Sequence, residues 1–462
     1  MTFPIIVALL VTIWTGWMIL KGYKPQAVLI FSGLILMVVA ITFIPEMDFV
    51  SSGRLKENQS TNSKWFDLFA YMRQLFSSRA AGLGLTIMAI AGFAKYMDAI
   101  GASRALVFIA IRPLSKFKSP YMVLALGLVV GQCLAIVISS ASGLGLLLMV
   151  TMYPILIRLG VSPLSATAMI GTTQCLDLGP ASGNSVLAAE TAGMDIIPYF
   201  LQHQIPVAVC VVLTVATLHF FVQRWFDRRE GYVPDGGASQ GLVEDSTENN
   251  APRLYALLPL IPLVLLIVFS KIFHMPFKVD IVTAMLICVF VSMVCEYIRS
   301  RDAKKVFASL QVFFDGMGVQ FATVITLIVA GEMFANGLVM TGAINGLIEG
   351  AKGLGLGGGV FVVVMVMIIA AASVVMGSGN APFFAFAKLV PDVASSVGVS
   401  AVSMILPMQF AASIARSVSP ITAVIVAVSG VAKVSPVAVV KRTAIPMAGA
   451  LLMNLVASAI FL

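Results

Sequence analysis

The chain has 462 residues, of which 59% are hydrophobic and only 11% charged, and its mean hydropathy is +1.01. Soluble domains carry roughly 25% charged residues, so a water-soluble enzyme of this composition is excluded, and the net charge of +8 reads as basic loops beside a membrane rather than as a nucleic-acid surface. Apolar runs of about 20 residues recur through the length, each long enough to span a bilayer as a helix. They are continuous rather than alternating, which excludes a membrane barrel.

In chain order, Pro4–Leu20 and Gln26–Ile44 read as spans one and two, joined by a basic turn at Lys21–Lys24. The N-terminal run has no basic residue before it and no small-residue cleavage site, and reads as a retained span. After a polar loop, Trp65–Phe76 has the look of an amphipathic helix lying along the membrane surface. Span three is expected at Leu83–Ile100. Tyr121–Gly160 follows, an apolar stretch interrupted by Ser139-Ser-Ala-Ser-Gly143; Ser165–Ala192 is interrupted by Gly179-Pro-Ala-Ser-Gly-Asn-Ser185. Gln204–Val222 closes the first half. Residues 223–253 hold the long hydrophilic stretch, expected to be a disordered cytoplasmic linker.

The second half repeats this plan. Gly92 recurs as Gly331, Gly101 as Gly342, Pro154 as Pro391, Pro180 as Pro420 and Ile205-Pro206 as Ile445-Pro446, all at shifts of about 240. Leu254–Ser270 and Val279–Ile298 answer spans one and two. In this register Ser139–Gly143 answers Gly377-Ser-Gly-Asn-Ala-Pro382, and Gly179–Ser185 answers Arg416-Ser-Val-Ser-Pro-Ile-Thr422. Each half thus carries one broken hairpin and one broken span. Paired interruptions of this kind point to a transporter's binding site.

The expected fold is an all-α integral membrane protein, an inverted repeat of two five-span halves, each with a re-entrant helical hairpin. That gives ten crossings, or twelve with the hairpins counted as spans. The expected division is a first repeat at 1–222 (scaffold 1–119, hairpin and broken span 120–222), the linker at 223–253, and a second repeat at 254–462 (scaffold 254–357, hairpin and broken span 358–462). Placing the N-terminus outside puts 18 of the 29 basic residues in the cytoplasm, and both termini in the periplasm.

At each break one half-helix begins, presenting unpaired N–H groups and a positive dipole end suited to an anion. Ser139, Ser140, Ser142, Ser182, Asn184, Ser378, Asn380, Ser417, Ser419 and Thr422 add short polar side chains there, and Gly143, Gly183 and Gly379 let backbone approach a ligand. Two oppositely directed copies suit a small molecule with a carboxylate at each end. Arg416, a permanent charge inside a span, costs about 2.5–3.5 kcal/mol on insertion scales. It reads either as a counter-charge for a substrate carboxylate or as a structural partner of an intramembrane acid. Asp177 and Glu332 are the candidate partners or proton-coupling groups, and Lys388 is expected to snorkel outwards. His203, His219 and His274 fall near segment ends and read as interfacial; the five cysteines read as small core residues without metal spacing. No base accompanies the Gly377-Ser378-Gly379 hydroxyl, which argues against an embedded hydrolase, and no phosphate-binding loop is present. No metal site and no cofactor are expected beyond a coupling H+ or Na+. A channel is the remaining rival, although it needs no paired breaks.

The strings Ser139–Met149, Gly377–Phe386, Arg416–Pro420 and Val440–Thr443 resemble those of the anaerobic C4-dicarboxylate carriers of the DcuC family, over essentially the full length. The resemblance implies a bacterial inner-membrane secondary carrier of fumarate, succinate, malate and aspartate, working by exchange, cation-coupled uptake or succinate efflux. A carrier for another small carboxylate is the alternative. More distantly the plan looks like the ion-transporter superfamily, which implies a homodimer in which a transport domain slides past a scaffold. Those carriers hold sodium at Ser-Asn-Thr tips, whereas the tips here read Ser-Ala-Ser and Ser-Gly-Asn.

Overall fold

The computed structural model describes residues 3–44, 47–232, 251–270, 277, 279–344, 346 and 357–462, and among these every regular element is a helix. The linker segment 233–250, Lys271, His274, Lys278 and Lys352 lie outside the described residues. Among the described residues seven helices are both long and apolar enough to cross a membrane.

The first two helices, α1 (Phe3–Leu20) and α2 (Pro25–Phe43), fall where the hydrophobic runs predict. Next come α3 (Lys64–Arg79) and α4 (Leu85–Ala99), joined through a π-turn at Ala80–Gly84 in which Gly82 leaves helical geometry. Trp65–Phe76 is therefore not a separate surface helix. It is the first part of a kinked 36-residue helix, Lys64–Ala99, with Leu68, Tyr71 and Leu75 buried and Trp65, Phe66 and Phe69 exposed. Its Asp67 is buried because the Ser60 and Thr61 hydroxyls donate to it, each at 2.7 Å.

Helix α5 (Ala102–Ile111) leads to α6 (Pro120–Ala135), α7 (Ala141–Thr151), α8 (Tyr153–Arg158), α9 (Pro163–Gly171) and α10 (Gly183–Thr191). Ser119-Pro120 and Ser162-Pro163 mark two of these starts, since proline's fixed φ suits the first helical position. The first half ends in α11 (Ile196–Arg229), 34 residues long. Its helix runs on through Gln223–Arg229, so the expected linker begins several residues later than its polarity suggests: Gln223 and Asp227 are buried polar residues, not solvated ones.

In the second half Arg253–Leu260 is a 3-10 turn leading into the short α12 (Ile261–Val268). The full span expected at Leu254–Ser270 is thus shortened, because Pro259 and Pro262 remove ladder donors. Then come α13 (Ile281–Ser300), α14 (Ala303–Gln320), a π-turn at Phe321–Ile325, α15 (Thr326–Met340), α16 (Gly358–Met376), α17 (Asn380–Ala387), α18 (Val390–Val397), α19 (Ala401–Arg416), α20 (Ala423–Ala432) and α21 (Pro436–Phe461).

The π-turns that follow α3 and α14 stand 241 residues apart, the starts of α7 and α17 stand 239 apart, and those of α10 and α20 stand 240 apart. The local breaks therefore recur in the register of the sequence repeat.

Close helix crossings tie the two halves together. A Cβ on Gly33 of α2 would lie 2.8 Å from the Met333 and Phe334 backbone of α15, and one on Gly316 of α14 would lie 2.8 Å from Gly92 of α4. Small residues at such crossings let apolar helices pack where lipid offers no hydrophobic drive.

Two segments fold back on themselves. Tyr121, at the start of α6, and Ser162, just after α8, both donate to Asp227 of α11, at 3.0 and 2.6 Å. Gly358 at the start of α16 abuts the end of α18, where its Cβ would meet the Val397 carbonyl at 2.8 Å. In each case the two feet of the segment meet and the break forms the far tip.

Buried polar groups brace these feet. Arg442 of α21 pairs with Asp227 and Glu230, both at 2.5 Å, and also donates to Ser165 at 2.7 Å. His219 is fully buried on α11, hydrogen-bonded to Thr172 at 2.9 Å and to Gln223 at 3.2 Å, so its expected interfacial place is corrected. The five cysteines are free; Cys175 and Cys288 are buried, but Cys133 is exposed on α6 and so is not a core residue.

Candidate functional site

The first tip spans Ile136–Ser140 between α6 and α7. Ser140 caps α7, accepting from the Gly143 N–H at 3.2 Å, which satisfies one of the helix's orphan donors. The first break, 172–182, is the longest unwound stretch in the centre of the molecule. Ser182 caps α10 in the same way, accepting from the Ser185 N–H at 3.2 Å.

Unwound backbone buried away from water must find partners, and three buried glutamines supply them. Gln132 of α6 makes a two-point contact with Leu176, Nε2 donating to its carbonyl at 2.8 Å and Oε1 accepting its N–H at 3.2 Å. The Gln204 Oε1 accepts the Gly179 N–H at 3.0 Å. Gln409 of α19 donates to the Asp177 carbonyl at 2.7 Å and to Ser185 Oγ at 3.0 Å, while Tyr199 donates to its Oε1 at 2.9 Å. None of these glutamines was singled out in the sequence. A glutamine alone in an apolar segment, as in Leu128–Ala135 or Leu406–Ala412, was the signal available.

At the second tip α16 ends on Gly377 in the left-handed region, φ 63°, and α17 starts at Asn380. A Cβ on Gly379 would lie 2.6 Å from the Ala412 carbonyl and 3.3 Å from Arg416 Cδ, so this tip rests directly on the end of α19.

The four breaks meet around residues 174–184. The Asn184 Nδ2 donates both to Asp177 Oδ2 at 2.9 Å and to Asn380 Oδ1 at 3.1 Å, which joins the first broken span to the second tip. Gln174 donates to the Ser139 carbonyl of the first tip at 3.1 Å, and its own carbonyl accepts from Arg416 Nη2 at 3.2 Å. Among the described residues no carboxylate lies within ion-pair distance of Arg416. Glu332, weighed as its partner or as a proton-coupling group, is instead held in a two-point pair by Arg79, whose Nε and Nη2 donate to its two carboxylate oxygens at 2.6 and 2.7 Å. Lys388, expected to snorkel outwards, pairs with Glu190 of α10 at 3.1 Å, and Arg79 reaches the same carboxylate at 3.1 Å.

The candidate residues fall into two sets. Ser139, Ser140, Ser142, Gly143, Ser378, Asn380 and Arg416 keep part of their surface exposed around the meeting point. Gly183 is also partly exposed, beside Ile87 of α4; the others are buried, Ser417 donating to the Ser413 carbonyl at 3.2 Å and Thr422 to the Arg416 carbonyl at 2.6 Å. Asn184 is buried with its Oδ1 unpaired, and Ser419 is buried with its hydroxyl unpaired. Helix N-termini, one unneutralised guanidinium and open amide and hydroxyl groups together favour a small anion.

A helical membrane protein that folds two tips and two broken spans onto one polar centre has the build of a membrane transporter. Residues 3–461 match the DcuC family model, described as the C4-dicarboxylate anaerobic carrier, and the chain belongs to this family. It is 34% identical over 455 residues to the anaerobic C4-dicarboxylate transporter DcuC of Escherichia coli O6:H1, covering 98% of this chain and 96% of that one. It is 33% identical over 444 residues to a probable DcuC transporter of Vibrio cholerae, covering 96% and 94%. The family and these relatives are transporters, not enzymes. Two solved structures share the fold: the Alcanivorax borkumensis YdaH transporter (TM-score 0.60, 15% identity, 94% of this chain and 98% of that one) and Neisseria gonorrhoeae MtrF (TM-score 0.61, 14% identity, 95% and 94%).

Proposed function

We propose that this chain is a secondary carrier of C4-dicarboxylates such as fumarate, succinate, malate and aspartate in the bacterial inner membrane. The observation that carries this reading is the convergence of both halves on one centre: Asn184 bonded to Asn380, and Arg416 bonded to Gln174, which in turn holds Ser139. One substrate carboxylate faces Arg416 and the other the start of α17, with Ser139, Ser142 and Ser378 as short donors around them. Recurrent breaks at shifts of 239 to 241, with both hairpins returning to their own feet, support two repeated halves; with five crossings each the second is inverted, and the bias of basic residues favours termini on the periplasmic side. In this reading α1–α5 and α12–α15 form the scaffold, in a homodimer, and the segments carrying tips and breaks move past it. Glu190 is then shared between the moving Lys388 and the scaffold Arg79, a contact that the motion exchanges.

Counterflow in proteoliposomes tests the carrier. Unlabelled fumarate inside is expected to accelerate uptake of labelled succinate; equal uptake with and without internal fumarate would favour a channel. Repeating the assay with a sodium gradient and with a pH gradient assigns the coupling ion.

A further inference from the structure

A polar cavity of about 340 Å³ lies at the turn between α4 and α5, beside the first tip. This volume is within the range of small-molecule sites, roughly 300–1,000 Å³. Its walls come from both halves: Asp98 to Gly101 and Arg104 at the turn between α4 and α5, Glu296, Arg299 and Ser300 at the end of α13, and Lys305 and Ser309 at the start of α14. Three cations and two carboxylates line it. Glu296 is matched by Arg299 at 3.1 Å. That leaves Arg104 and Lys305, both exposed, against the single carboxylate of Asp98. Asp98 also forms the boundary with the first tip, since its Oδ2 lies 3.6 Å from where a Cβ on Gly143 would stand. A basic cavity thus adjoins the α7 start that is proposed above to face substrate.

We propose that this cavity is an anion site, separate from the central one, for a ligand bearing two or more negatively charged oxygens. Arg104 and Lys305 are its cationic contacts. A free dicarboxylate or phosphate and the headgroup of an anionic lipid share this chemistry. Where the ligand is a dicarboxylate, which rests on the carrier reading, the cavity concentrates it beside the first tip; charged clefts raise local counter-ion concentration in this way.

The test uses inorganic phosphate as probe, with the full-length protein in an uncharged detergent. Phosphate binding is expected to weaken roughly tenfold in the Arg104→Gln/Lys305→Gln variant, the size of one lost charge-assisted hydrogen bond, and to be unchanged in Lys118→Gln, an exposed cation outside the cavity. Competition by phosphatidylglycerol micelles that depends on the same two residues assigns the site to a headgroup; competition by succinate alone assigns it to substrate. Either result supports an anion site. Equal binding of phosphate, succinate and phosphatidylglycerol by wild type and double variant overturns it. Because phosphate binding is read without transport, failure here and failure of the carrier reading are distinguishable.

Discussion

The Asn184 side chain, from the first half, donates at 3.1 Å to Asn380 at the second-half tip. The two residues are 196 positions apart, and each sits in the first turn of a short helix, where N–H groups run out of intrahelical partners. Their contact aligns two positive helix ends on one small volume. Asp177 holds Asn184 from the other side at 2.9 Å, which fixes the orientation of the amide.

Gly379→Ala is expected to abolish transport while leaving the protein folded. The added methyl would stand 2.6 Å from the Ala412 carbonyl, a backbone atom that cannot rotate away, so the tip must lift from α19. Gly359→Ala, on the same hairpin with nothing within 4 Å, is the control. Equal uptake by both variants would show that tip seating is irrelevant.

Gln132→Leu leaves both the N–H and the carbonyl of Leu176 buried without their partner. Each orphaned group costs about 1–3 kcal/mol, so thermal unfolding in detergent should shift to clearly lower temperature. An unchanged unfolding temperature would mean that the break finds other partners.

Asp227→Leu and Arg442→Met each break a pair whose side chains are 3% exposed. Removing one partner of such a pair costs about 3–5 kcal/mol. The double variant Asp227→Leu/Arg442→Met should recover part of that loss, which thermal unfolding of the three proteins checks; strictly additive losses would contradict a coupled pair.

Arg416→Lys keeps a charge but loses the planar fork, and the amine is too compact to reach the Gln174 carbonyl and a carboxylate together. Succinate binding to purified protein is expected to fall about tenfold in Arg416→Lys and further in Arg416→Ala. Unaltered binding in Arg416→Ala would make the residue structural.

Much of this architecture is legible in the chain because lipid forces apolar runs to be helices and leaves Gly-Ser-Asn interruptions conspicuous. The tips at Ser139–Gly143 and Gly377–Pro382, the interruptions at Gly179–Ser185 and Arg416–Thr422, and their shift of about 240 were visible for that reason, although the first span unwinds earlier than expected, from Thr172. What could not be read was pairing across the fold. Arg79 sits in a loop-like sequence context, yet it closes on Glu332 from 253 residues away. His219 and Asp227 have the spacing of segment-end residues, and only the return of α6 and α9 to α11 buries them. The glutamines were hidden for a related reason: a lone amide in a span announces a partner without saying which backbone it serves.

The most direct measurement is a double-mutant cycle on succinate binding, using wild type, Asn184→Ala, Asn380→Ala and the double variant. If the two halves build one site, each single change weakens binding and the double variant is weaker than wild type by much less than the product of the two effects. Independent, multiplicative losses, or normal binding in either single variant, would contradict a shared centre.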